Sequence, residues 1–495
     1  MKKATNLLSL LLAGLLLASC SNAAGGQNET SPADTVALPS SSESAVESES
    51  ETTYITDDLP DEDFGGYAFR ILSCVFYNKE LATYITNDEL TGVPVDDALY
   101  NSKTNIEDRF KVGISWIETG DQDAGLNTAK NAINAGDDAF DILIGHDTNT
   151  VGLGKSGLLR NMYDIDEFNF EKPWWPNHAV ESWTVAGKMF AASSYISYCG
   201  IHWTRAITVN KDWAEELLME IPYEAVREGK WTLDMLNTLT EDVSYDVDGN
   251  GKMNDKDKVG FTSGTQTWYC LQEGVDLPIY RRDDSGNIYL DLDVDRADQF
   301  LEIMRTLTKK DRYYSSGDFG VKMFEKGNAL FAYTQVGDAY DYYRVSDVRY
   351  GFLPTPKLDE AQENYINCCT DVPWAIPKTV MGKQQHIVGT ICEAMSAYNY
   401  NHVLPVYLEG ALKSRAADSA DDTEMLQIIA DTRTIGFAYG YGLQMNNILD
   451  DILEGGQGAA SYFKSKEKVA EKALNKLISS FEDMEIGRAS CRERV

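Results

Sequence analysis

Basic residues are scarce in this sequence. Lys and Arg number 44 against 78 Asp and Glu, and the formal charge is -34. That balance excludes a nucleic acid partner, because a phosphate backbone needs cationic side chains to displace its counterions. A polybasic membrane patch is excluded for the same reason. Long apolar runs are missing too, apart from one at the N-terminus, so nothing beyond it reads as transmembrane. No GxSxG, HExxH or P-loop is present. The eight cysteines form no metal spacing, and the adjacent Cys368 and Cys369 do not match a CxxC site. Cys74, Cys199, Cys270 and Cys392 lie in apolar or aromatic contexts and read as buried thiols, with one disulfide open to an exported chain. Core material is not lacking. At 43% hydrophobic and 11% aromatic over 495 residues, two or three packed domains are expected.

The first residues read as an export signal. Lys2 and Lys3 precede an apolar run from Leu7 to Leu17 that is too short for a permanent membrane helix. It ends in Leu17-Ala18-Ser19-Cys20, which resembles a bacterial lipobox. The resemblance implies a signal peptide over 1–19, lipidation of Cys20, and a chain anchored on the outer face of the cytoplasmic membrane. Residues 20–63 hold eleven acids and no Lys or Arg, and cannot bury enough apolar area to offset their ordering entropy. They read as a disordered acidic tether. At the other end an amphipathic helix over Ala470–Phe481 gives way to the basic run Ile486–Val495. The back-translation of that run resembles a sequencing adapter, so a non-native tail is expected over 486–495.

Between these ends strand and helix patterns alternate. Tyr67–Leu72 has the period of a strand, Ala98–Phe110 of a helix, Lys111–Glu118 of a strand and Thr128–Ala135 of a helix. Phe140–Ile144 reads as a buried strand, Lys188–Ser197 and Ala206–Asn210 as sheet, and Lys322–Tyr333 as a short helix followed by a strand. Helices are expected over Lys211–Met219, Leu233–Val243 and His386–Ala411, and over much of the chain after Thr423. The alternation predicts an α/β body with mainly parallel sheet.

Three stretches carry a family resemblance: Phe140–Leu159 (FDILIGHDTNTVGLGKSGLL), Gly187–Leu217 with its NKD turn, and Met323–Tyr333 (MFEKGNALFAY). Together they resemble the extracellular solute-binding lipoproteins of ABC importers, family 1, the group that includes maltose-binding protein. The resemblance implies a periplasmic-binding-protein type II-like fold, with two α/β lobes joined by a hinge and ligand held in the cleft between them. It implies lobe 1 over 64–200 and 322–372, and lobe 2 over 201–321 and 373–484. It also implies a monomer, no catalysis, and an ABC permease as partner.

In an open α/β sheet, ligands bind beyond the C-terminal ends of strands, which selects His146 and Asp147. A sugar presents an apolar face and a ring of hydroxyls, so its site needs flat rings together with carboxylates. Rings fall in expected loops at Trp174-Trp175, Tyr195, Tyr198, His202-Trp203, Trp268-Tyr269, Tyr340-Asp341-Tyr342-Tyr343 and Trp374. Of these, Tyr195, Trp203, Trp268 and Trp374 are chosen as ligand contacts, with Asp338 and Asp371 as polar partners. A small-molecule solute, most simply a carbohydrate or oligosaccharide, is the expected ligand. A surface glycoside hydrolase or an adhesion module is the alternative.

Residues 246–257 form a separate signal. Asp246, Asp248, Asn250, Asn254 and Asp257 place side-chain oxygens at loop positions 1, 3, 5, 9 and 12, Lys252 offers its carbonyl, and Gly251 stands at position 6. The pattern resembles a dockerin-type EF loop with Asp at position 12, and implies structural calcium.

Overall fold

The structure, a computed structural model, describes residues 54–492 apart from 77, 265–267, 316–319 and 413–419. The expected signal peptide, Cys20 and the tether as far as residue 53 lie outside the described residues. So do the side chains of 485–492 and the whole of 493–495, and with them the expected foreign tail.

The last part of the expected tether is not loose. Residues 54–63 form an extended strap along the helix α1 (Pro94–Phe110) and the helix Lys383–Tyr398. Arg109 takes Asp57 through both terminal nitrogens, at 2.5 and 3.1 Å, and Asp61 through Nε at 2.9 Å. Lys172 holds Asp58 at 2.6 Å, and His386 lies 3.1 Å from Glu62. Ile55 exchanges two hydrogen bonds with the Asn401 side chain. Composition alone predicted disorder here, and partners distant in sequence override it.

The first sheet has the order β12-β4-β1-β2, with β3 also beside β1. Its strands are β1 (Tyr67–Phe76), β2 (Lys79–Glu80), β3 (Val112–Asp121), β4 (Ile142–Ile144) and β12 (Trp374–Ala375). β1 runs parallel to β3 and β4, while β2 and β12 are antiparallel additions. Helix α1 begins with Pro94 and two acids in its first turn, and buries Val95, Leu99, Ser102, Ile106 and Phe110, a helical stripe. Helix α2 (Gln122–Ala135) is capped by Asp121, whose carboxylate accepts from the Ala124 N–H, and it stops at Gly136, φ 77°.

The second sheet has the order β10-β5-β9-β6, from β5 (Arg205–Asn210), β6 (Val259–Ser263), β9 (Ala329–Gln335) and β10 (Tyr350–Leu353). Only the β6–β9 pair is parallel, so the expectation of mainly parallel sheet fits the first sheet and fails in the second. A hairpin of β7 (Tyr280–Arg282) and β8 (Ile288–Leu290), and a parallel pair of β11 (Asn367–Cys369) and β13 (Arg433–Ile435), complete the strands among the described residues.

The sheets do not follow the expected lobe boundaries. β9 pairs with β5 and β6 in the second sheet, whereas 322–372 was assigned to lobe 1. Trp374–Ala375 pairs with β4 in the first sheet, whereas 373 onward was assigned to lobe 2. Register explains the first difference: Ala206 to Val209 match Thr334 to Phe331 residue for residue, and their apolar side chains share one core. Lys188–Ser197 is not a strand either. It touches sheet only through the bridge of Ala192 to Trp374, Lys188 bridging locally to Val185, and crosses between the two sheets as a buried connector. The six described cysteines are free and buried. No described helix is long and apolar enough to cross a membrane.

Candidate ligand-binding cleft

Both sheets send side chains into one cleft of about 310 Å³. From the first come Phe76 at the end of β1, Lys79 on β2, Tyr84 just after it, and His146 past β4. From the second come Arg205 at the start of β5, Gln335 at the end of β9, and Asp338, Asp341 and Tyr342 from the helix Val336–Asp341 and its cap. His202, Trp203, Tyr269, Val321, Thr370 and Tyr439 line the remainder.

The rings form a continuous surface. Trp203 lies 5.7 Å from Tyr84, 5.5 Å from Phe76 and 6.0 Å from His146. His146 is in turn 6.0 Å from Tyr439, whose ring stacks on Tyr269 at 4.5 Å and 4°. Lys79 sits 4.0 Å over the Tyr84 ring.

The polar groups oppose these rings. Asp338 accepts the Gln335 N–H at 2.7 Å as part of a capping box. Burial pushes its carboxyl up to about 6, with the nearby Arg205 charge acting against that rise. Among the described residues Arg205 has no side-chain hydrogen bond and no ion pair within 4.0 Å, so its guanidinium is free for a ligand. Burial pushes the His202 imidazole below its ordinary value, with Asp341 acting against that shift. The Tyr407 hydroxyl lies 3.0 Å from Nδ1, and Nε2 faces Asp341, 3.3 Å away. Burial would raise the Asp341 carboxyl, yet the hydrogen bond from His202 leaves it below its ordinary value. His202 and its helix approach closely at Gly337, where a Cβ would fall 2.4 Å from the imidazole. The cleft thus pairs flat apolar faces with a donor, Arg205, and two acceptors, Asp338 and Asp341. Such a site suits a ligand with apolar faces and many hydroxyls.

Three of the expected contacts, His146, Trp203 and Asp338, line this cleft. Asp147 is fully buried behind His146, with one carboxylate oxygen 2.8 Å from Nδ1 and the other without a partner. Tyr195 and Asp371 meet in a smaller cavity beside Arg433, which donates to the Tyr195 hydroxyl at 2.5 Å. Trp268 turns to Tyr313, and its neighbour Tyr269 faces the cleft instead. Trp374 is a core residue. It is fully buried, paired with Ile144 in the first sheet, packed on Phe168 and Trp175, and its indole N–H donates to Ser194. Sequence reasoning passed over Phe76, Lys79, Tyr84, Arg205, Gln335, Thr370 and Tyr439. The rule that selected His146, the C-terminal end of a parallel strand, also selects Phe76 and Lys79.

Residues 246–257 form a compact turn before β6. Carboxylate oxygens of Asp246, Asp248 and Asp257 lie within 4.8 Å of one another. Asp246 accepts N–H groups from Gly249 and Gly251 at 2.6 Å, and these hold its carboxyl below the usual range. Asp257 accepts from Val247 and Asn254, and Gly251 has φ 80°. Asn250 and Asn254 accept from the N–H groups of Lys252 and Lys256, and the Lys252 carbonyl accepts from Asn254. The donor set is all oxygen, which fits a hard cation.

Three solved structures show what this fold is similar to. An ABC substrate-binding protein from Listeria monocytogenes in complex with cycloalternan is 12% identical, over 83% of this chain and 99% of that one, with TM-score 0.52. A cyclo/maltodextrin-binding protein complexed with maltotetraose is 14% identical, over 84% and 96%, with TM-score 0.51. A protein from Mycobacterium tuberculosis in complex with glycerophosphocholine is 13% identical, over 84% and 99%, with TM-score 0.50. At such identities the likeness concerns the fold: two α/β lobes with a cleft between them. No curated protein sequence matches the chain. The family profile of bacterial extracellular solute-binding proteins matches residues 99–385, more than half of the chain. With a two-sheet body and a ring-lined cleft between the sheets, this chain belongs to the bacterial extracellular solute-binding proteins.

Proposed function

We propose that the chain captures a carbohydrate, in particular an oligosaccharide, and delivers it to an ABC permease while held at the outer face of the cytoplasmic membrane by a lipid on Cys20. The observation that carries this reading is the run of rings from Tyr84 through Trp203 and His146 to the Tyr439–Tyr269 stack, facing Arg205, Asp338 and Asp341. The rings offer faces to sugar C–H groups, while the guanidinium and carboxylates serve hydroxyls. Two of the three similar structures hold an oligosaccharide, and one holds a different polar solute. The cleft carboxylates do not suit glycoside hydrolysis. Asp338 and Asp341 belong to one short helix on one wall, whereas hydrolysis needs two carboxyls flanking the scissile bond. Incubation with a panel of oligosaccharides, followed by calorimetry and product chromatography, tests the reading. Saturable binding with the glycan recovered intact is expected; released product would overturn it.

We also propose that residues 246–257 hold a structural calcium ion, through Asp246, Asp248, Asn250, Asn254 and Asp257 and the Lys252 carbonyl. The convergence of three carboxylates supports it. An ion that binds only the folded chain raises its melting temperature by mass action. Millimolar calcium is therefore expected to raise Tm in the intact chain and to leave it unchanged in Asp246→Asn; equal responses would count against the site.

A further inference from the structure

The helix Trp268–Gly274 packs along β11. Their approach is close at Gly274, where a Cβ would stand 2.6 Å from the Thr355 side chain and 3.1 Å from the Ile366 carbonyl oxygen. Gln362 fixes the same end of the helix by donating to the Gly274 carbonyl at 3.0 Å. A register follows from that contact. Cys270 lies four residues before Gly274, on the same helix face, and Cys368 lies two residues after Ile366, the period of an extended chain. One step along both elements therefore sets thiol against thiol, and the Cys270 and Cys368 side chains interact directly. They are 1% and 0% exposed.

The adjacent cysteine faces elsewhere. Cys369, on the opposite face of β11, donates to the Thr434 carbonyl at 3.2 Å and lines the small cavity of Tyr195, Asp371 and Arg433. The two facing thiols are chemically unequal. Burial opposes ionisation of Cys270, but the Cys368 thiol and the Arg205 guanidinium outweigh it and hold Cys270 below its ordinary value. Contact with Cys270, and then burial, raise Cys368. Cys270 is thus the nucleophile of the pair.

We propose that Cys270 and Cys368 are a redox modification site, a facing thiol pair that closes to a disulfide by exchange with an external disulfide. The chain belongs to an extracellular family, and disulfides persist in oxidising compartments. The Cys270 thiolate attacks the external disulfide and expels one of its sulfurs; the Cys368 sulfur then displaces the second. The two protein sulfurs are oxidised, the external disulfide is reduced to two thiols, and the two protein protons pass to them. Because the pair is buried, the exchange belongs to folding, before the helix seals against β11. The closed bond ties the helix that carries Tyr269 to the strand that leads into Thr370, both of them cleft residues. It also closes a long loop, from 270 to 368, and so restricts the unfolded chain.

The test refolds the full chain from denaturant in a buffer of oxidised and reduced glutathione, followed by alkylation and peptide mapping without reduction. A peptide holding Cys270 joined to one holding Cys368 is expected, with fragmentation placing the link at 368 rather than 369. Thiol titration in denaturant is expected to find two fewer thiols than in the reduced chain. The oxidised chain is expected to melt several degrees above the reduced one, and Cys270→Ser and Cys368→Ser are each expected to lose that difference. A link through Cys369, any other pair, or an unchanged thiol count would overturn the site. Equal melting of the oxidised and reduced chains would overturn the constraint on the unfolded state. The map is read on the unaltered chain, so it decides the matter even where a variant fails to fold. No solute enters these readouts, so a failure here leaves carbohydrate capture standing.

Discussion

Glu393 is a buried carboxylate held by two indoles. Trp174 and Trp175 donate to its two oxygens at 2.9 and 2.8 Å, and burial pushes its carboxyl up to about 7. A carboxyl whose folded value is raised stabilises the fold fully below its unfolded value near 4.5, and that contribution is lost as pH rises through 7. The whole effect is up to about 3 kcal/mol, from 1.36 kcal/mol per unit. Denaturant unfolding between pH 4.5 and 7 is expected to show a smaller loss of stability with rising pH in Glu393→Gln than in the unaltered chain. Asp338 has the opposite consequence for binding. Ionised, it accepts through both oxygens and carries a charge, whereas protonation turns one oxygen into a donor, so ligand affinity is expected to fall as pH drops through about 6. Asp338→Asn is expected to flatten that dependence in titrations at pH 5 and 7. Legibility was uneven at this scale. His146 followed from the end of a buried strand, a local signal. Trp374 misled because it follows Thr370-Asp371 where a crossing loop was expected, while its burial comes from pairing with Ile144 far away in sequence. Tyr269 and Trp268 differ by one position, and only the helix phase says which ring faces the cleft.

The strap over 54–63 carries the clearest consequence among the elements. Its docking depends on Arg109, which is paired to Asp57 and Asp61 and also donates to the Leu59 carbonyl at 2.7 Å. Removing one partner of a partly buried, hydrogen-bonded ion pair costs about 1–3 kcal/mol. Arg109→Ala is expected to lower Tm by a few degrees and to make 54–63 the first site of limited proteolysis; an unchanged digestion pattern would refute the anchoring role. The sequence hid this strap because an acidic, base-free stretch meets the compositional criterion for disorder, and its cations come from 109, 172 and 386. The strands β1, β3, β4 and β5 and helix α1 were legible because each carries its own period or caps. The lobe assignment of β9 was not, since a strand pattern shows that a segment pairs without naming its partner.

At the scale of the whole molecule, the cleft lies between two sheets and the chain passes between them more than once. It crosses through Ala192–Thr204, and again between β10 and β12, where the isolated pair Thr204–Cys369 brings the two routes together. Crossings placed side by side permit hinge closure with little strain in either sheet. Cleft residues contributed at these crossings, Trp203 and Thr370, therefore stand where closure would bring both walls onto a ligand. Small-angle scattering is expected to show a smaller radius of gyration when a bound oligosaccharide is present. The central claim, that the ring-lined cleft captures carbohydrate, is tested most directly by calorimetric titration of the intact chain and of Trp203→Ala with the same oligosaccharide. The account predicts saturable binding to the intact chain that weakens by about 10- to 100-fold in the variant, as for loss of an aromatic anchor at a binding site. Equal affinity in the two, or no oligosaccharide bound by either, would contradict it.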